Sequence, residues 1–543
     1  MIGAGPGAPR RFGLERNAIL AGLLCAALAV LGGRALELAL AGREARAAGR
    51  AVAVPVSRAD LVDRNGLVLA TLAPTYALTA APAGVWGIDE TASALIGVLP
   101  RLKRAELERR LGSEQKLVYL LRGLTPRERD SVFALGLPGI DFVEEARRFY
   151  PQGNLAAHVL GTAGVDLQGQ AGMERAFDAR LRAPHIEKVE TSLDLRMQYA
   201  LEVELADAVT RAGALGGAGV LLDGQTGEVL ALASNPSFDA NRPPGPDADV
   251  RKNRAVSERY EMGSTMKPFT LAMALDLGLT APDEQFDVAN PFLVSGVEIR
   301  EPHPLEGPVD LRAVLSKSSN IGAARLALRV GAARQHAYFA RLGLAQASRI
   351  ELPGSAAPNL GPDDRELTVA IRGFGHAMSM SLVALAGAYT AFVNAGEVVS
   401  PTLRLHVAGE EVKKTRAFSQ QSANLVLDFM RSTVLTGTGQ RANLAEIAIA
   451  GKTGTAEKFE AGGYARDRML SSFAAIFPAN APRYVLLLAL DEPRPVEGGA
   501  TGGVVAAPSA ARVITRIAPF LGLGLDASTA NAAGKRAAGG VEL

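Results

Sequence analysis

Ser264 and Lys267 stand three residues apart in the run Glu261-Met262-Gly263-Ser264-Thr265-Met266-Lys267-Pro268-Phe269-Thr270, directly after a glycine. On one helical turn that spacing stacks the lysine against the serine, so an amine can take the hydroxyl proton and leave an oxygen nucleophile. The pattern is weak by itself. Ser113-Glu114-Gln115-Lys116 repeats it in a charged stretch expected to be helical, where a solvated face accounts for it. The first site gains weight from two runs further along the chain, Ser318-Ser319-Asn320 and then Lys452-Thr453-Gly454-Thr455. A second serine and asparagine at the same spacing, Ser422-Ala423-Asn424, lies in a helix-like stretch and in the wrong place relative to Lys452, so the order of the motifs selects Ser318.

Each position has a chemical reason. Ser264, at a helix N-terminus, is suited to be the nucleophile, and its backbone N–H can contribute to an oxyanion hole. Lys267, buried in a cleft, loses charge stabilisation, which lowers its pKa toward a value where it acts as general base. Ser318 can pass a proton between Lys267 and a leaving amine, and the amide of Asn320 can hydrogen-bond a substrate peptide group. Lys452, Thr453 and Thr455 offer a cation and two hydroxyls suited to a terminal carboxylate, and Gly454 is expected to let a substrate backbone approach closely.

Composition narrows the alternatives. The chain has 543 residues, room for two to four domains, and 58 Lys+Arg against 56 Asp+Glu leave no broad basic surface for nucleic acid. Cys25 is the sole cysteine, which excludes an intrachain disulfide and a thiol metal cluster. No zinc-ligand cluster or phosphate loop is present, so neither a metal nor a nucleotide cofactor is expected. Residues 18–33 carry no charge, with Arg10, Arg11 and Arg16 before them and Arg34 after. That core is slightly short for a bilayer of ~30 Å, but snorkelling arginines and Leu36, Leu38 and Leu40 extend it, giving an anchor over 18–40 behind a short cytoplasmic segment, 1–17. A cleaved signal peptide is the rival, with Ala39-Leu40-Ala41 as a small-residue cleavage pattern.

Residues 51–193 read as a mixed module of short strands and charged helices, with turns at Asp63-Arg64-Asn65-Gly66 and Tyr150-Pro151-Gln152-Gly153-Asn154 and an exposed amphipathic helix pair over Arg101 to Arg129. His158 in this module is a structural histidine on this reading. From residue 194 to 523 a second domain opens with Ser192-Leu193-Asp194 capping a helix, then a hairpin of Ala218–Leu222 and Glu228–Ala233. Strands at Ile447–Ala450, Ser472–Phe477 and Tyr484–Leu490 and a helix over Ala506–Phe520 complete it. Strands at both ends around a helical middle suit an α+β fold whose sheet is closed by sequence-distant pieces. The Ala/Gly-rich tail, 524–543, is expected to be disordered.

The ordered trio is the signature of penicillin-interacting serine enzymes, and the chain resembles a class B penicillin-binding protein from anchor to final helix. The resemblance rests on the trio and on Asp63-Arg64-Asn65-Gly66, Arg148-Phe149-Tyr150-Pro151, Ala157-His158-Val159-Leu160-Gly161 and Gly169-Gln170-Ala171-Gly172-Met173-Glu174. Phe269-Thr270, the run Gly451 to Lys458 and Gly462-Gly463-Tyr464 make it most similar to the division-specific D,D-transpeptidases, the FtsI type. Two departures stand out: Met262 where many relatives have proline, and a segment Gly373 to Leu385 that lacks the common Thr-Pro-Leu-Gln. The resemblance implies a transmembrane helix, an elongated pedestal (dimerisation) domain and a transpeptidase domain of the serine β-lactamase-like fold. It also implies that the Thr455 N–H is the second oxyanion donor.

It further implies peptidoglycan cross-linking. Ser264 acylated by a stem pentapeptide releases D-Ala and passes the acyl group to a neighbouring stem-peptide amine, with β-lactams as covalent inhibitors. The implied setting is the bacterial inner membrane, catalytic domain facing the periplasm, in contact with cell-division membrane proteins including a glycosyltransferase. Other readings share the motifs: an elongation-type class B transpeptidase, a D,D-carboxypeptidase or serine β-lactamase that deacylates with water, a membrane β-lactam sensor, and a non-catalytic division scaffold.

Overall fold

The computed structural model describes residues 12–49, 58–242, 249–460 and 463–524, and the expectation of a disordered tail lies almost wholly outside them. The chain divides into two units, Met1–Ser57 and Arg58–Leu543. The first contains one helix, Phe12–Gly49, in which Ala18–Glu37 is long and apolar enough to cross a membrane and exposes Leu20, Leu23, Leu24, Leu28 and Leu31 along its length.

The second unit begins with a sheet of β1 (Asp60–Val62), β2 (Val68–Ala80), β3 (Val118–Leu124), β4 (Ile140–Phe149) and β5 (Lys188–Glu190). The long β2 pairs antiparallel with β1, β3 and β4, while β1 pairs parallel with β5. Over Arg101–Arg129 the structure corrects the expected helix pair: helix Arg104–Leu111, strand β3 and helix Pro126–Phe133 succeed one another. Val118 and Leu120 alternate inward across the exposed Tyr119, the strand period, and join Leu78, Leu95, Leu107 and Val132 in a small core. A capping box between Thr125 and Glu128, with Pro126 in the first turn, starts the next helix. Ser113–Lys116 consequently lies in the loop before β3 and not on a helix.

The root of this module is held together by polar groups. Arg58 donates to the Glu174 carboxylate (2.7 Å), to its backbone carbonyl (2.8 Å) and to Asp178 (2.6 Å); Arg148 donates to the other Glu174 oxygen (2.6 Å) and to the Ala59 carbonyl (2.8 Å). Asp63 accepts from the N–H groups of Asn65 and Leu67, forming the turn, and from that of Leu195 (3.1 Å) at the start of the next helix. His158 is a packed structural residue, its Nε2 2.9 Å from the Val250 carbonyl and its ring edge-on to Phe238.

The second sheet contains β6 (Gly216–Asp223), β7 (Val229–Asn235), β8 (Ala450–Glu460), β9 (Gly463–Phe477) and β10 (Tyr484–Asp491), ordered β8-β9-β10-β6-β7 and antiparallel throughout. Tyr484 pairs with Asp223 across the whole helical middle of the chain, so the sheet closes late in sequence. Alternate residues divide its two faces. Leu221, Leu230, Phe473, Leu486 and Leu488 face helices Leu195–Ala212 and Ala506–Ile517. Val220, Leu222, Leu232, Ile476 and Leu487 join the larger helical core, which contains the fully buried helix Leu382–Val393.

Three boundaries differ from expectation. The apolar run Ile447–Ala450 is not itself the strand: ladder pairing begins at Ala450 opposite Ile476 and carries the strand through Lys452–Thr455, while Ala448 O accepts from the Ala479 N–H (2.6 Å) beyond the end of β9. β9 starts at Gly463, well before Ser472. The last helix ends at Ile517 and tightens into a 3-10 turn, Ala518–Leu521, around Pro519, which has no N–H to continue it.

Candidate active site

Ser264 sits in a short 3-10 turn, Gly263–Met266, that runs directly into the helix Lys267–Asp276. The Lys267 N–H bonds the Ser264 carbonyl, so the two side chains leave the backbone one turn apart. Gly263 makes this turn possible: its φ is +53°, and a Cβ there would lie 2.9 Å from the Thr455 carbonyl oxygen. The turn is held by Tyr389, whose hydroxyl donates to the Thr265 carbonyl (2.6 Å), and by Thr265, whose hydroxyl donates to Met262 O (2.8 Å). The segment that departs from the family pattern packs behind it, with Thr270 donating to Gly373 O at 2.8 Å.

Three motifs far apart in sequence meet at Ser318. Lys267 Nζ lies 3.1 Å from Ser318 Oγ, 2.5 Å from its carbonyl and 2.8 Å from Asn320 Oδ1; Lys452 Nζ lies 3.0 Å from the same Ser318 Oγ. Ser318 adopts φ +64°, a left-handed conformation uncommon for a residue with a side chain, which turns its hydroxyl and carbonyl toward the lysines together. Its hydroxyl has two lone pairs to accept from the amines and one hydrogen left to give. Asn320 turns its carbonyl oxygen toward Lys267 and its amide nitrogen toward Arg300 O (3.3 Å).

Both lysine side chains are fully buried. Burial lowers the Lys452 ammonium to about 7. Lys267 is pushed well below the ordinary lysine range, first by burial and then by the like charge of Lys452, with the Glu301 carboxylate opposing. Removing water from two amines that share one hydroxyl favours their neutral forms, which is what a general base beside a serine requires.

The remaining motif residues lie on β8, the sheet edge nearest the nucleophile turn. Lys452 Nζ also reaches Thr453 O (3.0 Å), and Thr453 Oγ1 pairs with Thr438 Oγ1 (2.7 Å). Thr455 Oγ1 accepts from the Gly502 N–H (3.1 Å). The structure gives Gly454 a different reason from the one expected. A Cβ there would strike Ser472 Oγ at 2.3 Å, Met262 O at 2.7 Å and Thr265 Cγ2 at 2.9 Å, so the glycine lets β8 pack against the nucleophile turn itself. The two decoys are placed elsewhere: Ser113–Lys116 in a loop, and Ser422–Asn424 on the helix Gln420–Thr436.

The motifs gave no sign of several groups around this cluster. Glu301 accepts from Ser319 Oγ (2.5 Å) and from the N–H groups of Asn320 (2.8 Å) and Ile321 (3.1 Å). His376 is held down at about 4 by burial and by the charge of Lys267. Both come from loops with no spacing rule. Glu301 stands 18 residues before the Ser319 it caps, with another helix between, so no local signal joins it to the cluster. Among the described residues no group of three or more His, Cys, Asp or Glu side chains is placed to hold a metal ion.

A serine one turn before a buried lysine, a second serine bridging two lysines, and a strand edge alongside are groups suited to serine acyl transfer with an amine base. Residues 217–515 match the model of the penicillin-binding protein transpeptidase domain and residues 53–194 that of the penicillin-binding protein dimerisation domain. The chain belongs to the class B penicillin-binding proteins, the FtsI type. It is 40% identical over 500 residues, 89% of this chain and 85% of the relative, to the probable peptidoglycan D,D-transpeptidase FtsI of Caulobacter vibrioides. It is 29% identical to the peptidoglycan D,D-transpeptidase FtsI of Escherichia coli over 95% of this chain and 93% of that one. The solved structure of penicillin binding protein 3 from Mycobacterium tuberculosis, complexed with aztreonam, superposes with a TM-score of 0.68 at 27% identity, covering 86% of this chain and 97% of that one.

Proposed function

We propose that this protein is a peptidoglycan D,D-transpeptidase that cross-links stem peptides during septal wall synthesis. The observation that carries the reading is the convergence on Ser318 of Lys452 and of Lys267, the lysine one helical turn after Ser264. Relatives named for this activity support it. Ser264 Oγ attacks the carbonyl carbon of the penultimate D-Ala, and its proton passes to neutral Lys267. The backbone N–H groups of Ser264 and Thr455 hold the resulting oxyanion. The C–N bond breaks, the proton on Lys267 reaches the leaving D-Ala amine through the Ser318 hydroxyl, and an ester to Ser264 remains. The acceptor amine then attacks the ester carbonyl, Lys267 takes its proton, and Ser264 recovers one as the new amide forms. Asn320 orients the donor peptide, while Lys452, Thr453 and Thr455, with Gly454 between them, receive its terminal carboxylate. β-Lactams acylate Ser264 by the first half of this sequence.

The apolar helix Ala18–Glu37 supports a single-pass anchor, and the cell-wall chemistry supports a catalytic domain outside the inner membrane. In that setting residues 51–193 stand as a pedestal carrying the domain 194–523, and the FtsI-type resemblance supports contacts with division membrane proteins, a glycosyltransferase among them. The test is labelling of the purified protein with a fluorescent penicillin beside Ser264→Ala, together with mass spectrometry of products from a lipid-linked pentapeptide donor. A long-lived adduct lost in the variant and a cross-linked dimer with released D-Ala are expected. Free tetrapeptide without dimer would replace the transpeptidase by a carboxypeptidase, and an unlabelled, folded wild type would leave a scaffold.

A further inference from the structure

Glu301 comes just after the short hairpin of Phe292–Val294 and Val297–Ile299 and reaches across to the start of helix Asn320–Val330. Its carboxylate accepts from three donors there: the Ser319 hydroxyl and the N–H groups of Asn320 and Ile321. Ser319 in turn accepts from the Gly322 N–H (2.9 Å), so cap and carboxylate together satisfy the exposed end of the helix. The residues so pinned are the two immediately after Ser318, with Ile321 beyond them. Ser318 itself sits in a left-handed conformation, which persists only where its surroundings impose it. The same carboxylate faces the buried amines, and its charge acts on Lys267 against that of Lys452.

We propose that Glu301 is a positioning residue for acyl transfer, holding the Ser318–Asn320 turn against the two lysines and supplying the carboxylate charge that faces them. This rests on the acyl-transfer reading above. The carboxylate is one layer removed from the reacting atoms: it touches Ser319 and the backbone, while Ser318 and Asn320 touch Lys267. Direct contact would have held the amine as a protonated ion pair and stopped it acting as a base. At one remove, the charge moderates the loss of the Lys267 proton without trapping it. The other titratable and charged groups nearby are Lys452 on β8, His376 in the loop behind the nucleophile turn, and Arg300, whose guanidinium is paired with Glu298.

The test is the second-order rate of acylation by a fluorescent penicillin, measured against pH for the full-length protein and for Glu301→Gln, Glu301→Asp and Ser319→Ala. The rate rises on the acid side as the lysine pair loses its proton. Glu301→Gln keeps an acceptor but removes the charge, so the plateau falls roughly tenfold or more and the acid limb moves about half a pH unit or more toward lower pH. Glu301→Asp keeps the charge and shortens the reach, so the limb stays and the plateau falls. Ser319→Ala loosens the turn with the charge in place and likewise lowers only the plateau. A wild-type limb in folded Glu301→Gln overturns the proposal, as does an equal limb shift in Ser319→Ala. Should Glu301→Gln fail to fold, a displaced limb in Glu301→Asp overturns it and an unmoved limb with a lowered plateau supports it. If the wild type is not acylated at any pH, it is the enzyme reading that fails.

Discussion

At the root of the pedestal Arg58 and Arg148 close on Glu174, and in the catalytic cleft Lys267 and Lys452 close on Ser318 with Glu301 a layer beyond. Each place buries two cations near one carboxylate, yet the two do opposite work. The guanidinium groups spread donors over Glu174, Asp178 and the carbonyls of Leu167 and Ala59, and both Arg58 and Glu174 side chains are wholly buried. A planar fork cannot act as a base, so this cluster can only clamp. The lysines spend their donors on two hydroxyls, an amide oxygen and two carbonyls, and the carboxylate does not touch them. Burial is therefore left partly uncompensated, and the proton becomes movable. The difference teaches that chemistry here comes from withholding the counter-charge, and stability from supplying it.

The largest effect comes from exchanging one cation type for the other. Lys267→Arg places a permanent charge where a base is needed, and acylation by penicillin is expected to fall by about a thousandfold or more. Lys267→Met removes the buried amine altogether, with the same loss of acylation but a higher melting temperature than wild type, since a desolvated cation is replaced by an apolar chain of similar size. A Lys267→Met protein that melted lower would mean the lysine stabilises the fold and would erase the contrast with the pedestal. At that root, Glu174→Ala leaves two guanidinium groups buried without their acid and is expected to destabilise the chain by about 3–5 kcal/mol in denaturant unfolding. Penicillin acylation per folded molecule should be unchanged. A drop in that rate would show that the clamp reaches the cleft.

Much of the catalytic cluster was legible because its groups sit at fixed spacings on elements with their own signals. Ser264 and Lys267 share a turn, Ser318 and Asn320 flank a capped helix start, and Lys452 to Thr455 lie on a strand. The closure of β6 by β10 was legible in the same way, from strand-like runs at both ends of a helical domain. The pedestal cluster was not. Arg148 and Glu174 were visible only inside two segments with a family resemblance, and nothing local says that they meet Arg58, far away in the chain. Strand β3 was missed because only Val118 and Leu120 show the inward alternation, between charged helices that dominate the pattern. Gly454 was seen, but not its packing against the nucleophile turn: Met262 and Thr265 lie far from it in the chain, and sequence distance hides a steric reason.

Glu202 gives a third arrangement, a half-hidden carboxyl whose hydrogen bonds come from amides, and it sharpens the comparison at smaller amplitude. It lies on helix Leu195–Ala212, where Oε1 accepts from the Ala156 N–H of the pedestal segment (2.7 Å) and from Gln198 Nε2 (2.7 Å). Burial raises it from 4.5 to about 7, with the two hydrogen bonds pulling the other way. The folded state therefore favours the protonated form. The stabilisation this gives is full below the unfolded value near 4.5 and is lost as pH rises through about 7. Glu202→Gln removes the titration and keeps an acceptor for Ala156. The variant should thus melt like wild type near pH 4.5 and progressively above it as pH rises, levelling off beyond pH 7 at about 1–3 kcal/mol. A difference in melting temperature that did not change with pH would mean that Glu202 enters the fold charged. Burying a lone carboxyl would then carry no proton, and the rule drawn from the two lysines, that withholding the counter-charge favours the neutral form, would not extend beyond the cleft.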